Sequence, residues 1–160
     1  MITIHETDIA RECIKVALAK GADSARISLN KCVSDSVTML NGEIDKVTHS
    51  ADRSIYIYLY AGGKYGTFST NRLDMNEIEG FIENAVKMVQ MLGEDEFRRL
   101  PDRDRMADDA ITGQELGLYD NSYESIDTDT RLNKAQSLSI FGKVQADGYT
   151  LISEEAEYTD

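Results

Sequence analysis

Basic charge is scarce in this chain: 17 lysines and arginines face 29 aspartates and glutamates, for a formal charge of -12. That balance repels phosphate backbones and anionic membranes, so direct nucleic-acid or membrane-surface binding is not expected and basic or neutral partners are left open. Cysteine is nearly absent as well. Cys13 and Cys32 stand far apart in sequence, and only a fold that brought them together could link them. Nothing else points to an oxidising compartment. Histidine is limited to His5 and His49. His5-Glu6 has no second histidine a helical turn away, so no HExxH site can be built on it, and a Ser-His hydrolase triad has no support. No run approaches the ~20 apolar residues that span a bilayer. The first residues lack the basic stretch and apolar run of a signal peptide, so a cytoplasmic location is expected.

What is present is ordinary globular material, 41% hydrophobic and 29% charged over 160 residues, enough for one domain or one small domain and part of another. Ile9, Cys13, Val16 and Ala17 recur at helical spacing over residues 8–20, with Thr7 or Asp8 as N-cap and Gly21 past the end. From Ala25 the period becomes two, through Ile27 and Leu29 and then Val33, Val37 and Met39. Asn41-Gly42 is the dipeptide of a type I′ hairpin turn, with Ile44 and Val47 beyond it. Residues 53–60 place Ile55, Ile57 and Leu59 on one face and Tyr56, Tyr58 and Tyr60 on the other, which predicts a central strand covered on both sides. Gly62-Gly63 turns the chain into a further strand through Tyr65, Phe68 and Thr70.

Asp74 and Glu77 have the spacing of a capping box. A helical stripe of Ile78, Phe81, Ile82, Ala85, Met88, Val89 and Leu92 follows, and Gly93 stops it. Helices bracket a run of hairpins instead of alternating with strands. The class is therefore α+β: a curled antiparallel sheet of four to five strands bracketed by two helices, with the helices on one face, followed by an incomplete second domain. Residues 1–93 form the N-terminal domain and 94–127, rich in Asp, Gly and Ser, a linker. Residues 128–160 begin a second domain, with a helix from Thr128 to Gln145, a turn at Asp147-Gly148 and a lone extended segment from Tyr149 to Tyr158. Such a piece buries too little surface to stand alone, so further protein is expected.

Other candidate chemistry reads as structure. Gly62-Gly63-Lys64-Tyr65-Gly66 precedes a strand and lacks the Walker spacing, so it is a hairpin turn. Asp102, Asp104, Asp108 and Asp109 lack the glycine and terminal glutamate of a calcium loop and read as solvated linker. His49 reads as a surface or packing residue. The row Tyr56, Tyr58, Tyr60 could stack bases, but its sequence neighbours are sparse in Lys and Arg, so a helix or a partner surface is expected to cover it.

Gly21-Ala22-Asp23-Ser24-Ala25, Asn41-Gly42-Glu43-Ile44-Asp45-Lys46-Val47, and Gly66-Thr67-Phe68-Ser69-Thr70 with Leu73-Asp74 together resemble, in order and spacing, the opening domain of the TldD/PmbA family, known also as modulators of DNA gyrase. Glu94-Asp95 and Leu100-Pro101-Asp102 resemble that family's link to its central domain. Leu118-Tyr119-Asp120 and the Thr128 helix resemble the central domain's start, and the Leu-Tyr-Asp linker looks closer to the PmbA (TldE) type. The resemblance implies a cytoplasmic zinc metallopeptidase acting as a dimer of family subunits on unfolded peptides, linked to peptide-antibiotic maturation and antitoxin turnover. Its zinc motif lies later in the TldD-type chain, so no catalytic or metal residue carries over. Zinc is expected only in a missing domain or a partner subunit. The alternative is a free-standing interaction module without enzymatic activity, binding a protein partner through Tyr56, Tyr58 and Tyr60.

Overall fold

A computed structural model of the chain describes residues 2–106, 117–118, 120–144 and 148–160. Its elements run α1 (Ile4–Ala19), β1 (Ser24–Leu40), β2 (Glu43–Ala61), β3 (Lys64–Thr70), α2 (Met75–Gln90), α3 (Thr128–Leu138) and β4 (Glu155–Thr159). Short 3-10 turns lie at Arg103–Arg105 and Asn121–Ser125. The strands form one open antiparallel sheet in the order β3-β2-β1-β4. The class is α+β, as the bracketing of hairpins by helices implies. No described helix is long and apolar enough to cross a membrane.

The chain divides into two compact units. One holds Met1–Cys32 with Asp52–Met106, the other Val33–Ala51 with the described part of 107–160.

In the first unit, α1 begins ahead of the expected Thr7 or Asp8 cap. Thr3 is the N-cap: its Oγ1 accepts from the Glu6 amide (3.2 Å), and the Glu6 carboxylate accepts from the Thr3 amide (2.8 Å). The apolar stripe starts only at Ile9 because the first turn turns Ile4 and His5 outward, so periodicity alone hides it. Glu6 is buried in this role. The Thr3 amide holds its carboxyl below the usual carboxylate range, helped by Lys31 and Arg53, each 3.8 Å away.

Ile9, Cys13 and Ala17 of α1 meet Ile55, Ile57 and Leu59 of β2, and Ile78, Ile82, Ala85, Val86 and Val89 of α2 close the same core. The α2 stripe differs from the expected one. Val86 is buried while Met88 and Leu92 are exposed, because the buried face is centred on the 78/82/85/86/89 positions. The expected capping box is not made: Asp74 caps the helix by accepting from the Asn76 amide (2.8 Å), not from Glu77, and Glu77 turns outward to Arg72 (3.1 Å). Cys13 is fully buried, which pushes its thiol up to about 11, and Cys32 is exposed; both are free.

Gly66 of β3 packs closely against α2. A Cβ there would lie 2.7 Å from the Val89 Cγ2 and 2.9 Å from the Phe68 ring. Gly66→Ala therefore forces the buried Val89 side chain and the Phe68 ring to shift, and the expected cost is about 1–3 kcal/mol in urea denaturation. α1 and α2 are also tied at the surface: Lys20 bridges Glu79 (3.0 Å) and Glu83 (2.9 Å), and Lys87 joins Glu83 (2.7 Å). The two ammonium donors, Lys87 first, hold Glu83 down to about 2, against an ordinary value of 4.5. A lowered carboxylate contributes stability that is complete above pH 4.5 and fades as pH falls towards 2. The stability difference between the native chain and Glu83→Gln is expected to vanish over that window, as read by denaturant midpoints at stepped pH. A difference unchanged from pH 6 to 2 would contradict it.

In the second unit, Asn41 (φ 53°) and Gly42 (φ 81°) form the hairpin turn, the two positive φ values of type I′. Val37, Met39 and Ala135 are its buried core, with Leu132, Ala156 and Tyr158 packed against it. The expected lone strand is paired. β4 runs antiparallel to β1, from Ser36↔Thr159 to Leu40↔Glu155, because Ala156 and Tyr158 complete this small core. The Thr128 helix ends at Leu138, earlier than expected. The Ile140 and Phe141 amides and the Ser139 hydroxyl donate to the Glu154 carboxylate instead of continuing the helical ladder. Gln145 and Asp147 lie outside the described residues.

Candidate partner surface

Alternation along β2 sends Ile55, Ile57 and Leu59 into the core of the first unit and turns Tyr56, Tyr58 and Tyr60 to the opposite face, where all three are half-buried. Antiparallel register sets Ser69 beside Tyr56, Thr67 beside Tyr58 and Tyr65 beside Tyr60. The Tyr60 and Tyr65 rings lie 5.1 Å apart, tilted by 45°. The Tyr65 hydroxyl is 2.6 Å from the Thr67 Oγ1.

Two arginines complete the face. Arg26 of β1 stands over the Tyr58 ring and Arg98 over the Tyr65 ring, each guanidinium carbon 5.3 Å from the ring centre. Arg98 is brought there by the segment after α2, where the Asp95 amide donates to the Gly63 carbonyl (2.9 Å) and the Phe97 amide to the Asp95 carboxylate (3.1 Å). Burial pushes the Tyr60 phenol up, with a further push from Tyr65, and Arg26 and Arg98 oppose it.

Two sequence expectations change here. Both helices of the unit pack on the isoleucine side, so the tyrosine side is not covered by a helix among the described residues. Nor are its neighbours sparse in basic groups. Arg26 and Arg98 are remote in sequence from the tyrosine row and only the fold delivers them.

The remaining candidates fall elsewhere. His5 is exposed on α1. His49 is exposed and pairs through Nδ1 with the Asp35 carboxylate (2.8 Å). Gly62 (φ 59°) and Gly63 (φ 71°) form a type I′ turn, and the Lys64 Nζ donates to the Gln90 carbonyl (2.7 Å), so the glycine-rich segment is a hairpin turn tied to the end of α2. Asp102 precedes a 3-10 turn that contains Asp104; Asp108 and Asp109, like Tyr119, lie outside the described residues. A zinc site needs three or four converging N, S or O ligands. Among the described residues no three His, Cys, Asp or Glu side chains converge in that way. The zinc of the resembled family therefore does not fit the described residues.

One cluster escaped sequence reasoning. In the second unit Arg131 bridges Asp35 (3.2 Å) and Asp160 (2.9 Å) and donates to the Ile126 carbonyl (2.7 Å). No local pattern joins residues so far apart, so nothing in the sequence signals it.

An open antiparallel sheet whose first unit carries two helices on one face and an aromatic, arginine-bearing opposite face defines an α+β module. In sequence and in fold the chain is similar to the TldD/PmbA family. Residues 25–89 match the PmbA/TldA metallopeptidase domain 1. A metalloprotease PmbA homolog of Haemophilus influenzae is 30% identical over 119 residues, 74% of this chain and 26% of that protein. A crystal structure described as a modulator of DNA gyrase, from Bacteroides thetaiotaomicron, is 27% identical with a TM-score of 0.88, over 99% of this chain and 35% of that one. TldE of Thermococcus kodakarensis shares the fold at 17% identity and a TM-score of 0.53, over 59% of this chain and 21% of that one. The chain thus spans about a quarter of the curated relative and about a third of the Bacteroides structure.

Proposed function

We propose that this chain is the N-terminal, non-catalytic part of a TldD/PmbA-like cytoplasmic metallopeptidase subunit that acts on unfolded peptides, with the zinc site elsewhere in the assembly. The observation that carries the reading is the match of 99% of this chain to 35% of the Bacteroides structure. Residues 1–93 are then the N-terminal domain, 94–127 the link and 128–160 the opening of the central domain. The PmbA homolog and TldE among the relatives favour the PmbA (TldE) subunit type, dimerised with a second family subunit. The contribution of this region is enclosure and positioning: it helps wall the chamber in which peptide is held and shapes dimer contacts.

The test combines mass and activity. The match of 119 residues to 26% of its relative implies a subunit of roughly 450 residues, about 50 kDa at this chain's 17.9 kDa per 160 residues. Intact mass spectrometry of the protein from its source cells should find about that mass. The assembly isolated from those cells should cleave an unfolded casein peptide and lose that activity to a chelator. The 160-residue chain supplied with zinc should not cleave it. A native mass of 17.9 kDa, or cleavage by the chain alone, would overturn the reading.

A further inference from the structure

We infer that the tyrosine–arginine face of the first unit's sheet docks an acidic, extended protein segment. The inference does not rest on the metallopeptidase reading, since it follows from the chemistry of the face alone. The chain carries 29 acidic residues, yet the side chains presented on this face from Arg26 to Asn30, from Ser54 to Tyr60 and from Tyr65 to Ser69 include no carboxylate. Acids stand at its rim, and Glu94 and Glu96 flank Asp95 in the segment that carries Arg98. Asp95 lies 3.5 Å from the Arg98 Nε, Asp23 is engaged by the Gly62 amide (2.6 Å), and Asp52 follows on the strand beyond Ser54.

Both cations are exposed and sit over tyrosine rings, each guanidinium carbon 5.3 Å from the ring centre. A guanidinium held over a ring keeps N–H groups to donate to a carboxylate, although at Arg98 the Nε is already beside Asp95 (3.5 Å). Half-buried tyrosines beside them offer rigid contact area at low entropic cost, the combination that dominates protein-binding surfaces. The net charge of -12 does not forbid an acidic ligand here. At physiological salt, charges farther than about 8 Å are largely screened, whereas a carboxylate against Arg26 or Arg98 is in contact. Single-stranded nucleic acid would also stack on tyrosines, but its phosphates need a basic track along the backbone, and this face supplies two arginines.

The test is an NMR titration of the ¹⁵N-labelled 160-residue chain with three probes: a peptide of alternating glutamate and leucine, its lysine–leucine counterpart, and an oligothymidylate. The glutamate peptide is expected to shift amides of Arg26, Tyr58 and Tyr65 in a salt-dependent way, with the other two probes inert. Arg26→Gln with Arg98→Gln should weaken binding about tenfold while the spectrum stays dispersed, and the double lysine variant should fall between. No shift with the glutamate peptide, an equal response to the lysine peptide, a response to the oligothymidylate at the same face, or an unaffected glutamine variant would each overturn the inference.

Discussion

Replacing Ile57 with alanine is expected to destabilise the first unit by about 2–5 kcal/mol, more than any other single truncation in it. Ile57 is wholly buried at the centre of β2, flanked by Ile55 and Leu59 on its own face and paired with Phe68 across the sheet. The two helices close over it from one side: Ile9 and Cys13 of α1 and Ile82, Val86 and Val89 of α2 belong to the same core. Such a site cannot collapse around a smaller side chain. β2 is held by strands on either side, and α2 already touches β3 at Gly66, so neither wall can move inward. The loss therefore includes both the transfer of the missing carbons and the cavity left behind. Ile57→Val, which removes one methyl, should cost about 0.5–1.5 kcal/mol. Urea denaturation reads both, with an unchanged slope showing that stability and not compactness has altered. Tyr58→Ala on the opposite, half-exposed face serves as the contrast, and a Tyr58→Ala cost equal to that of Ile57→Ala would mean that the core lies elsewhere.

The distinction between those two neighbours was legible in the sequence, and so were most of the first unit and the hairpin turn of the second. Period-two alternation marks β2 because side chains on a strand must alternate, and Asn41-Gly42 marks the hairpin because few residue pairs accept two positive φ values. What local pattern could not supply is anything decided by distant partners. Val86 is buried and Met88 exposed because of where α2 meets the sheet, a matter of rotation that periodicity fixes only to within a residue or so. The start of α1 was readable as a Thr3–Glu6 capping box, but the apolar stripe begins later and draws attention away from it. The last strand looked unpaired because its partner, Ser36–Leu40, lies more than a hundred residues earlier. The candidate surface divides in the same way. Its tyrosine row is a local pattern, visible at once, whereas Arg26 and Arg98 join it only through strand pairing and the path of residues 94–98, which reverses the expectation that basic groups are lacking there.

The second unit should depend on Arg131 as the first depends on Ile57. Among the described residues its apolar core holds only Val37, Met39 and Ala135 as buried members, so a polar link that joins α3 to β1 and the end of β4 carries a large share of the fold. The Arg131 side chain is 11% exposed, and its partners Asp35 and Asp160 are 18% and 13% exposed. Asp35 is held below the usual carboxylate range by the His49 hydrogen bond and by the charge of Arg131. The second Asp160 carboxylate oxygen is buried with no hydrogen-bond partner among the described residues, so that charge leans on Arg131. Arg131→Met keeps much of the side chain's length but strands two acids that face each other across the β1–β4 pairing. Breaking a buried pair by removing one partner is far more damaging than never having built it, because the remaining charge stays desolvated. The expected result is a loss of about tenfold or more in hydrogen-exchange protection of the β4 amides and of α3, with the Ile57 region unchanged. Arg131→Lys retains the charge but cannot span both aspartates and the Ile126 carbonyl, and should recover part of the protection. Full removal of the charges, Asp35→Asn and Asp160→Asn with Arg131→Met, should be milder than Arg131→Met alone. If the triple variant were as damaged as the single, the arginine would be acting through its packing on Tyr123, 5.9 Å from the ring centre, and not through its charge.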